Sequence, residues 1–244
     1  MADVGGAVAR RLADRLTRWR NGPLPPRRLL GQTSSPSISE FTEAGRVVLD
    51  CCRLGGLRPD DRILDIGSGV GRVAIPLTGF LSADGAYTGV DMWRDGVAWC
   101  TGAITPRFPN FTFRFLDVHH HQFHPTGTVP ITDARLPVDD GVFDFVILGA
   151  INHLSPSELQ ALVGEGARAL RPGGTYVGTW FLVDAHSDVV LPPAATAVGC
   201  DEATMRATLD RGSLRLRALH SGSWRAGPDA LTYQDVVIAE KEAR

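Results

Sequence analysis

The sequence predicts an open, doubly wound α/β domain, with helices on both faces of a mostly parallel sheet. From Asp60 onward, short strand patterns alternate with amphipathic helix patterns, and such alternation produces right-handed crossovers between parallel strands. The composition agrees, because 43% of the 244 residues are hydrophobic and 21% are charged, which is enough apolar material for a full core.

Residues 1–55 are predicted to form a helical cap or lid region ahead of a main domain at residues 56–244. Residues 8–19 carry apolar side chains at helical spacing with arginines between them, which predicts an amphipathic helix. Its solvated basic face is the simpler interpretation, and a membrane or RNA surface is the alternative. Residues 21–37 are rich in Pro, Gly and Ser, which is typical of a linker or flap.

A second helix is predicted from about Ser39 to Leu54, starting on a serine cap with Glu40 and Glu43 in its first turn. The residues expected on its apolar face are Phe41, Val47, Val48 and Cys51.

Five segments beyond Asp60 have the composition of buried strands: Arg62–Ile66, Ala86–Val90, Phe111–Leu116, Phe143–Leu148 and Thr175–Leu182. Helices are predicted between or after them at Arg72–Leu81, Arg94–Thr105, Ser157–Leu170 and Glu202–Arg211. The last two strand patterns, Leu214–His220 and Tyr233–Glu240, are expected to form an antiparallel hairpin on the sheet edge.

Charge and cysteine content exclude several classes of protein. The formal net charge of −2 argues against a protein that binds mainly the phosphate backbone of nucleic acid. The sequence contains no run of about 18 apolar residues, so no membrane span is predicted. No secretory signal is recognisable at the N-terminus. Four cysteines without a Cys-x-x-Cys pair favour free thiols, and hence a cytoplasmic protein.

The strongest chemical signal is the glycine-rich segment that follows the first strand. It reads Asp65-Ile66-Gly67-Ser68-Gly69-Val70-Gly71 and opens a helix. Glycines let the backbone turn tightly and approach a ligand, to which the helix N-terminus offers unpaired N–H groups. Dinucleotide enzymes place the third glycine one position later, so the spacing argues against a nicotinamide dehydrogenase.

A second signal lies at the end of the second strand, Tyr87-Thr88-Gly89-Val90-Asp91. The carboxylate of Asp91 follows the glycine-rich segment by about 20 residues, a position from which it can accept hydrogen bonds from both hydroxyls of a ribose.

These segments together resemble the class I S-adenosylmethionine-dependent methyltransferases. Further along, Phe143–Leu148 is similar to the family's fourth strand and Leu170–Gly174 to its turn into the fifth. The resemblance covers about Asp60 to Asp184 and implies a Rossmann-like, seven-stranded sheet with S-adenosylmethionine as cofactor.

The resemblance also implies roles for single residues. Gly67, Ser68, Gly69 and Gly71 would line the methionine end of the cofactor, and Asp65 would help to hold its amino group. Asp91 would bind the ribose, Met92 would pack on the adenine, and Asp117 and Val118 would meet the adenine edge. Asp133-Ala134 is an alternative for this last contact.

Four histidines at 119, 120, 121 and 124 suggest a metal site, but we predict none. No cysteine lies nearby, and three adjacent histidines of an extended chain cannot all face one point. The stretch from His119 to Ile131 is instead interpreted as an insertion.

The loop after the fourth strand bears on the acceptor. It reads Gly149-Ala150-Ile151-Asn152-His153 and lacks the Asn/Asp-Pro-Pro-Tyr/Phe motif of enzymes that methylate amino groups of nucleobases or glutamine. A neutral imidazole could accept the proton of an attacking hydroxyl, so His153 is the candidate base, with a purely structural role as the alternative. The expected acceptor pocket involves residues 1–45, this loop and residues 185–198.

The sequence therefore predicts a methyltransferase that acts on a small molecule, at a hydroxyl of a sugar or natural-product intermediate, with no nucleic acid or membrane partner. Two alternatives stay open. One is an RNA methyltransferase that uses the arginine-rich N-terminus, and the other is a cofactor-binding protein without turnover.

Overall fold

The computed structural model describes residues 23–31, 33, 35, 37–121, 123–149, 154–183, 188–191, 195–226 and 230–243. The amphipathic helix predicted at residues 8–19 therefore lies outside the described residues, as does His153. Within the described part of the chain, no helix combines the length and the apolarity that crossing a bilayer requires.

Nine strands and seven helices are described. The strands are β1 Arg62–Ile66, β2 Ala86–Asp91, β3 Phe111–Phe115, β4 Phe143–Leu148, β5 Leu170–Trp180, β6 Asp188–Leu191, β7 Ala195–Val198, β8 Leu214–His220 and β9 Asp235–Lys241. The helices are α1 Arg27–Leu30, α2 Ile38–Leu54, α3 Ala74–Leu77, α4 Arg94–Ala103, α5 Pro156–Ala169, α6 Glu202–Arg211 and α7 Ser223–Ala226.

Seven of these strands form one sheet in the order β3-β2-β1-β4-β5-β9-β8. The first five strands run parallel, while β9 pairs antiparallel with both β5 and β8. This is the predicted doubly wound α/β sheet with a terminal antiparallel hairpin, and the fold prediction is confirmed. Strands β6 and β7 form a separate two-stranded ribbon within the segment predicted as part of the acceptor pocket.

The core lies on both faces of the sheet. One cluster packs β1, β4 and β5 against α5 and α6, with Leu64, Val146 and Tyr176 at its centre. The other packs α1, α2 and α4 against the opposite face. Leu29 and Leu30 of α1 are buried in this second cluster, so the prediction of a linker or flap over residues 21–37 is wrong for that part.

Helix α2 begins one residue earlier than predicted because Ser37 and Glu40 form a reciprocal capping box. Its buried side consists of Phe41, Gly45, Leu49, Cys51 and Cys52, so the predicted apolar face is right for Phe41 and Cys51. Val47 and Val48 are half-buried, and Val48 packs against the core. The proposed boundary between residues 1–55 and 56–244 stays a prediction.

Helix α3 is much shorter than the predicted Arg72–Leu81. Pro76 has no N–H to donate to the carbonyl of Arg72, and that carbonyl lies so close to α2 that a Cβ at Gly45 would be 2.2 Å from its oxygen. The chain therefore makes only one helical turn here, between tight turns on either side.

The ends of six other predicted elements differ, and for β2, β3 and β9 the difference is one or two residues. Helix α4 ends at Ala103. Helix α5 begins one residue early, capped by Ser155. Strand β5 begins at Leu170, which pairs with Phe143 ahead of a register shift, and ends at Trp180.

Candidate functional site

The candidate site lies at the carboxyl edge of the parallel strands. The register places Ile66 of β1 between Val90 of β2 and Leu148 of β4, so the segments that follow these three strands meet at one place. Ligands of open α/β sheets bind at this edge. A pocket opens there, lined by Ile66, Gly67, Val90, Asp91, Met92, Leu116, Leu148, Leu154 and Leu162.

The glycine-rich turn forms one side of the site. Gly67, Gly69 and Gly71 all have positive φ angles, of 86°, 53° and 76°, which side chains other than glycine rarely adopt. The Gly67 amide donates to the Val90 carbonyl at 2.8 Å, and the Gly71 amide donates to the Ser68 carbonyl at 2.9 Å. A Cβ at Gly69 would meet nothing within 4 Å, so open space lies next to the turn.

Asp91 connects the turn to the second strand. One carboxylate oxygen accepts the Gly69 amide at 2.6 Å, and the other accepts the Trp93 amide at 2.7 Å. Burial raises the pKa of Asp91, while the amides of Trp93, Gly69 and Met92 lower it. Each oxygen has a second lone pair, so the side chain can hold the turn in place and still accept further hydrogen bonds.

Asp65 ends its strand as a buried carboxyl, with 2% of its surface exposed. Its Oδ2 accepts a 2.5 Å hydrogen bond from the Tyr87 hydroxyl. Burial raises the pKa of Asp65 to about 7, a rise that the Tyr87 hydrogen bond opposes and the nearby Asp91 increases.

Tyr87 is the site residue that sequence reasoning missed. Asp65 pairs with Gly89 across the parallel ladder, and Tyr87, Gly89 and Asp91 share one face of β2 because their spacing is two. The missing side chain at Gly89 leaves room for Ser68, whose hydroxyl oxygen would lie 2.8 Å from a Cβ there. A tyrosine on the same strand face as Asp91 was the signal available in the sequence.

Ser68 and Met92 also lie at this edge. The Ser68 hydroxyl is buried and has no hydrogen-bond partner among the described residues. Met92 lines the pocket and packs against its apolar wall.

The two candidates for the adenine edge are placed differently from each other. Val118 is buried, whereas Asp117 is exposed and its Oδ1 lies 2.6 Å from Nε2 of His124. Asp133 is exposed in a short 3-10 turn, and the neighbouring Ala134 is buried. Neither carboxylate is among the pocket-lining residues, so the choice between them stays a prediction.

The histidine-rich segment folds as a small loop. The backbones of His120 and His124 bond to each other, and the rings of His120 and His121 stack with centroids 4.5 Å apart. Across the described ranges, no group of three or more His, Cys, Asp or Glu side chains could hold a metal ion. The four cysteines are free thiols.

Comparisons with known proteins agree with this geometry. Residues 63–174 match the family model described as a methyltransferase domain. An arsenite methyltransferase from Aquipseudomonas alcaligenes is 29% identical over 113 residues, which are 46% of this chain and 30% of that protein. A highly reducing polyketide synthase from Aspergillus terreus is 26% identical over 174 residues, 67% of this chain and 6% of the synthase. The chain thus spans less than a third of either relative.

A solved structure shares the fold over nearly the whole chain. It is the 1,6-didemethyltoxoflavin-N1-methyltransferase of Burkholderia thailandensis with bound S-adenosylhomocysteine, at a TM-score of 0.55 and 15% identity, covering 100% of this chain and 92% of that one. The matched domain, the sheet order and the motifs at its carboxyl edge lead to one conclusion: residues 63–174 carry a methyltransferase domain, and the chain is similar in fold to S-adenosylmethionine-dependent methyltransferases.

Proposed function

We propose that this protein transfers a methyl group from S-adenosylmethionine to a hydroxyl of a small molecule. The observation that carries the proposal is the pocket at the carboxyl edge, where an apolar wall, the glycine turn and Asp91 meet, with the buried Asp65 close by in β1.

The residues of this pocket fit the chemical parts of the cofactor. The apolar wall, which includes Val90, Leu116 and Leu148, suits a flat purine. The spare lone pairs of Asp91 suit the ribose diol, and the open space at Gly69 lets a chain pass close to backbone amides. Asp65 is the buried acid that the ammonium group of the methionine part would face.

Methyl transfer requires little of the protein beyond the alignment of the methyl donor with the acceptor. The cofactor, when bound, supplies a methyl carbon activated by its sulfonium. The turn held by Asp91 would fix the position of the donor, and the apolar wall would exclude water, since orientation accounts for much of the rate of such a displacement. His153, outside the described residues, stays the proposed acceptor of the hydroxyl proton.

Two arguments favour a small acceptor. The net charge of −2 gives no general attraction for nucleic acid. The sequence after β4 lacks the Pro-Pro motif of enzymes that methylate amino groups of nucleobases or glutamine, which argues against those macromolecular acceptors and is compatible with a hydroxyl that His153 would serve.

The test has two stages. Calorimetry with S-adenosylhomocysteine and with NAD should give a micromolar dissociation constant, about −8 kcal/mol, for the first and no heat for the second; the reverse preference would refute the family's cofactor here. Mass spectrometry should then detect methylated product from a panel of hydroxylated small molecules. Methylation of RNA alone, or cofactor binding without any turnover, would reject the proposed acceptor.

A further inference from the structure

Asp65 and Tyr87 form a buried acid–phenol pair beneath the glycine turn. Their side chains are 2% and 0% exposed, and the hydroxyl lies 2.5 Å from the carboxylate. The Tyr87 ring packs against two rings of the neighbouring strand β3, with centroid distances of 5.1 Å to Phe111 and 5.6 Å to Phe113. The phenol therefore has little freedom to turn away from the acid.

The other titratable groups around the pair come from three elements. Asp91 faces it from the end of β2, Cys52 from α2 and Cys100 from α4. Burial raises the pKa of both thiols and of Tyr87 well above their ordinary values, so all three groups are neutral at pH 7. Among the described residues, the groups that shift the pKa of Asp65 are the Tyr87 hydroxyl and the Asp91 carboxylate, and no cation is one of them.

We propose that Tyr87 is a positioning residue that keeps Asp65 as a proton-exchanging group, and that the ammonium of the cofactor displaces a proton from Asp65 when it binds. This inference rests on the proposed function, because it needs the methionine end of the cofactor to face Asp65. In the step, the O–H bond of the Asp65 carboxyl breaks, the proton passes to the buffer, and the carboxylate pairs with the ammonium.

Burial and hydrogen bonding oppose each other at Asp65, and this balance supports the proposal. Burial alone would hold the carboxyl neutral, whereas the Tyr87 hydroxyl stabilises the charged form. The resulting pKa of about 7 leaves the free acid divided between both forms at neutral pH. An incoming cation then favours the carboxylate at low cost.

The experiment compares two probes by calorimetry at pH 7, each in two buffers of different ionisation enthalpy. S-adenosylhomocysteine carries the ammonium, while 5′-methylthioadenosine has the same purine and ribose without it. We expect S-adenosylhomocysteine to release about half a proton more than 5′-methylthioadenosine, because about half of Asp65 is protonated at that pH. Any release linked to Asp91 at the ribose is common to both probes and cancels.

Two variants assign the proton. Tyr87→Phe removes the hydrogen bond that lowers the pKa of Asp65, so its release at pH 7 should approach one proton. The pH at which its affinity for S-adenosylhomocysteine changes should rise by on the order of one unit. Asp65→Asn should release no more with S-adenosylhomocysteine than with 5′-methylthioadenosine, and it provides the test if Tyr87→Phe does not fold.

The outcomes separate the two proposals. Tight binding of S-adenosylhomocysteine with no excess proton release overturns the inference and leaves the proposed function intact. An unchanged pH profile in a folded Tyr87→Phe variant also overturns it. If S-adenosylhomocysteine does not bind at all, the inference and the proposed function fail together.

Discussion

Replacing Gly96 with alanine should disturb the cofactor site from the helix behind it. Gly96 lies in the first turn of α4, and a Cβ there would be 2.8 Å from the Gly69 carbonyl oxygen and 3.1 Å from the Trp93 ring. The Gly69 oxygen is main chain, so it cannot rotate away as a side chain would. Either α4 or the glycine turn must shift to admit the methyl group.

The expected magnitude follows from two opposing effects. Overpacking a close contact costs roughly 1–3 kcal/mol of folding free energy, while alanine in place of glycine in a helix returns up to about 1 kcal/mol. We expect Gly96→Ala to lose about 0–2 kcal/mol. A displaced turn also strains the Gly69–Asp91 hydrogen bond, and losing a bond to a charged group costs about 1.5–3 kcal/mol, so cofactor affinity should fall about tenfold or more.

Gly102 of the same helix supplies the matched control. A Cβ at Gly102 would meet nothing within 4 Å, so Gly102→Ala should stabilise the protein by about 0.4–1 kcal/mol and leave affinity unchanged. Thermal unfolding and calorimetric titration with S-adenosylhomocysteine measure both quantities, and each kcal/mol corresponds to about 2–4 °C in a protein of this size. Equal melting temperatures and equal affinities in the two variants would refute the close approach of α4 to the turn.

Four further variants, with Asp95→Ala as a control, test single side chains. Asp91→Ala removes the group that holds the Gly69 and Trp93 amides and should weaken S-adenosylhomocysteine binding by about 1.5–3 kcal/mol. As a control, Asp95→Ala changes an exposed acid of α4 and should alter the affinity little. Equal effects of the two substitutions would place the ribose elsewhere. Asp117→Asn and Asp133→Asn are compared in the same way. Only the substitution at the adenine edge should reduce affinity for 5′-methylthioadenosine, and unchanged affinity in both variants would exclude both residues from that role. His153→Ala should lower turnover by about 10²–10⁴-fold with cofactor affinity intact if the imidazole is the base, and a lower melting temperature with near-normal turnover would support the structural alternative.

The strands of the sheet were predictable because buried parallel strands have a continuous apolar pattern with clear ends. The parallel strands β1 and β4 have the predicted bounds. The antiparallel edge strand β8 and the helix at Glu202–Arg211 also do, from their alternating and helical patterns. Local composition was sufficient in these cases since the pattern depends on burial alone.

The errors arose where tertiary contacts overrode local composition. The leucine pair of α1 is buried although its neighbours are typical of a loop, because it completes the core beside α2. Helix α3 does not begin at Arg72 as predicted: the Arg72 carbonyl packs against Gly45 of α2, and Pro76 has no N–H to bond to it. A sequence pattern contains no information on which distant surface will cover a segment.

The candidate site was predictable in part for a similar reason. Acids and glycines at strand ends are visible in sequence, and the structure brings Asp65, Asp91 and the glycine turn together at one sheet edge. The Asp65–Tyr87 pair depends on the register of β1 against β2, which a single sequence does not specify.

The buried acid should also make folding stability depend on pH. The pKa of Asp65 is about 7 in the folded protein and 3.8 as the ordinary value, so between these values the folded state holds a proton that the unfolded chain has released. The stabilising contribution of Asp65 is therefore present in full below about pH 4 and is lost as pH rises to about 7, at about 1.4 kcal/mol per pH unit. Asp65→Asn cannot titrate, and other acids such as Asp91 are common to both proteins. Urea unfolding should therefore be measured for both proteins from pH 5 to pH 8.5. The free energy of unfolding of Asp65→Asn should rise relative to that of the parent up to about pH 7, and the difference between the two should stay constant above that pH. If the unfolding free energies of the two proteins change with pH in parallel over the whole range, Asp65 is ionised in the folded state. It would then have no proton to release when the cofactor binds.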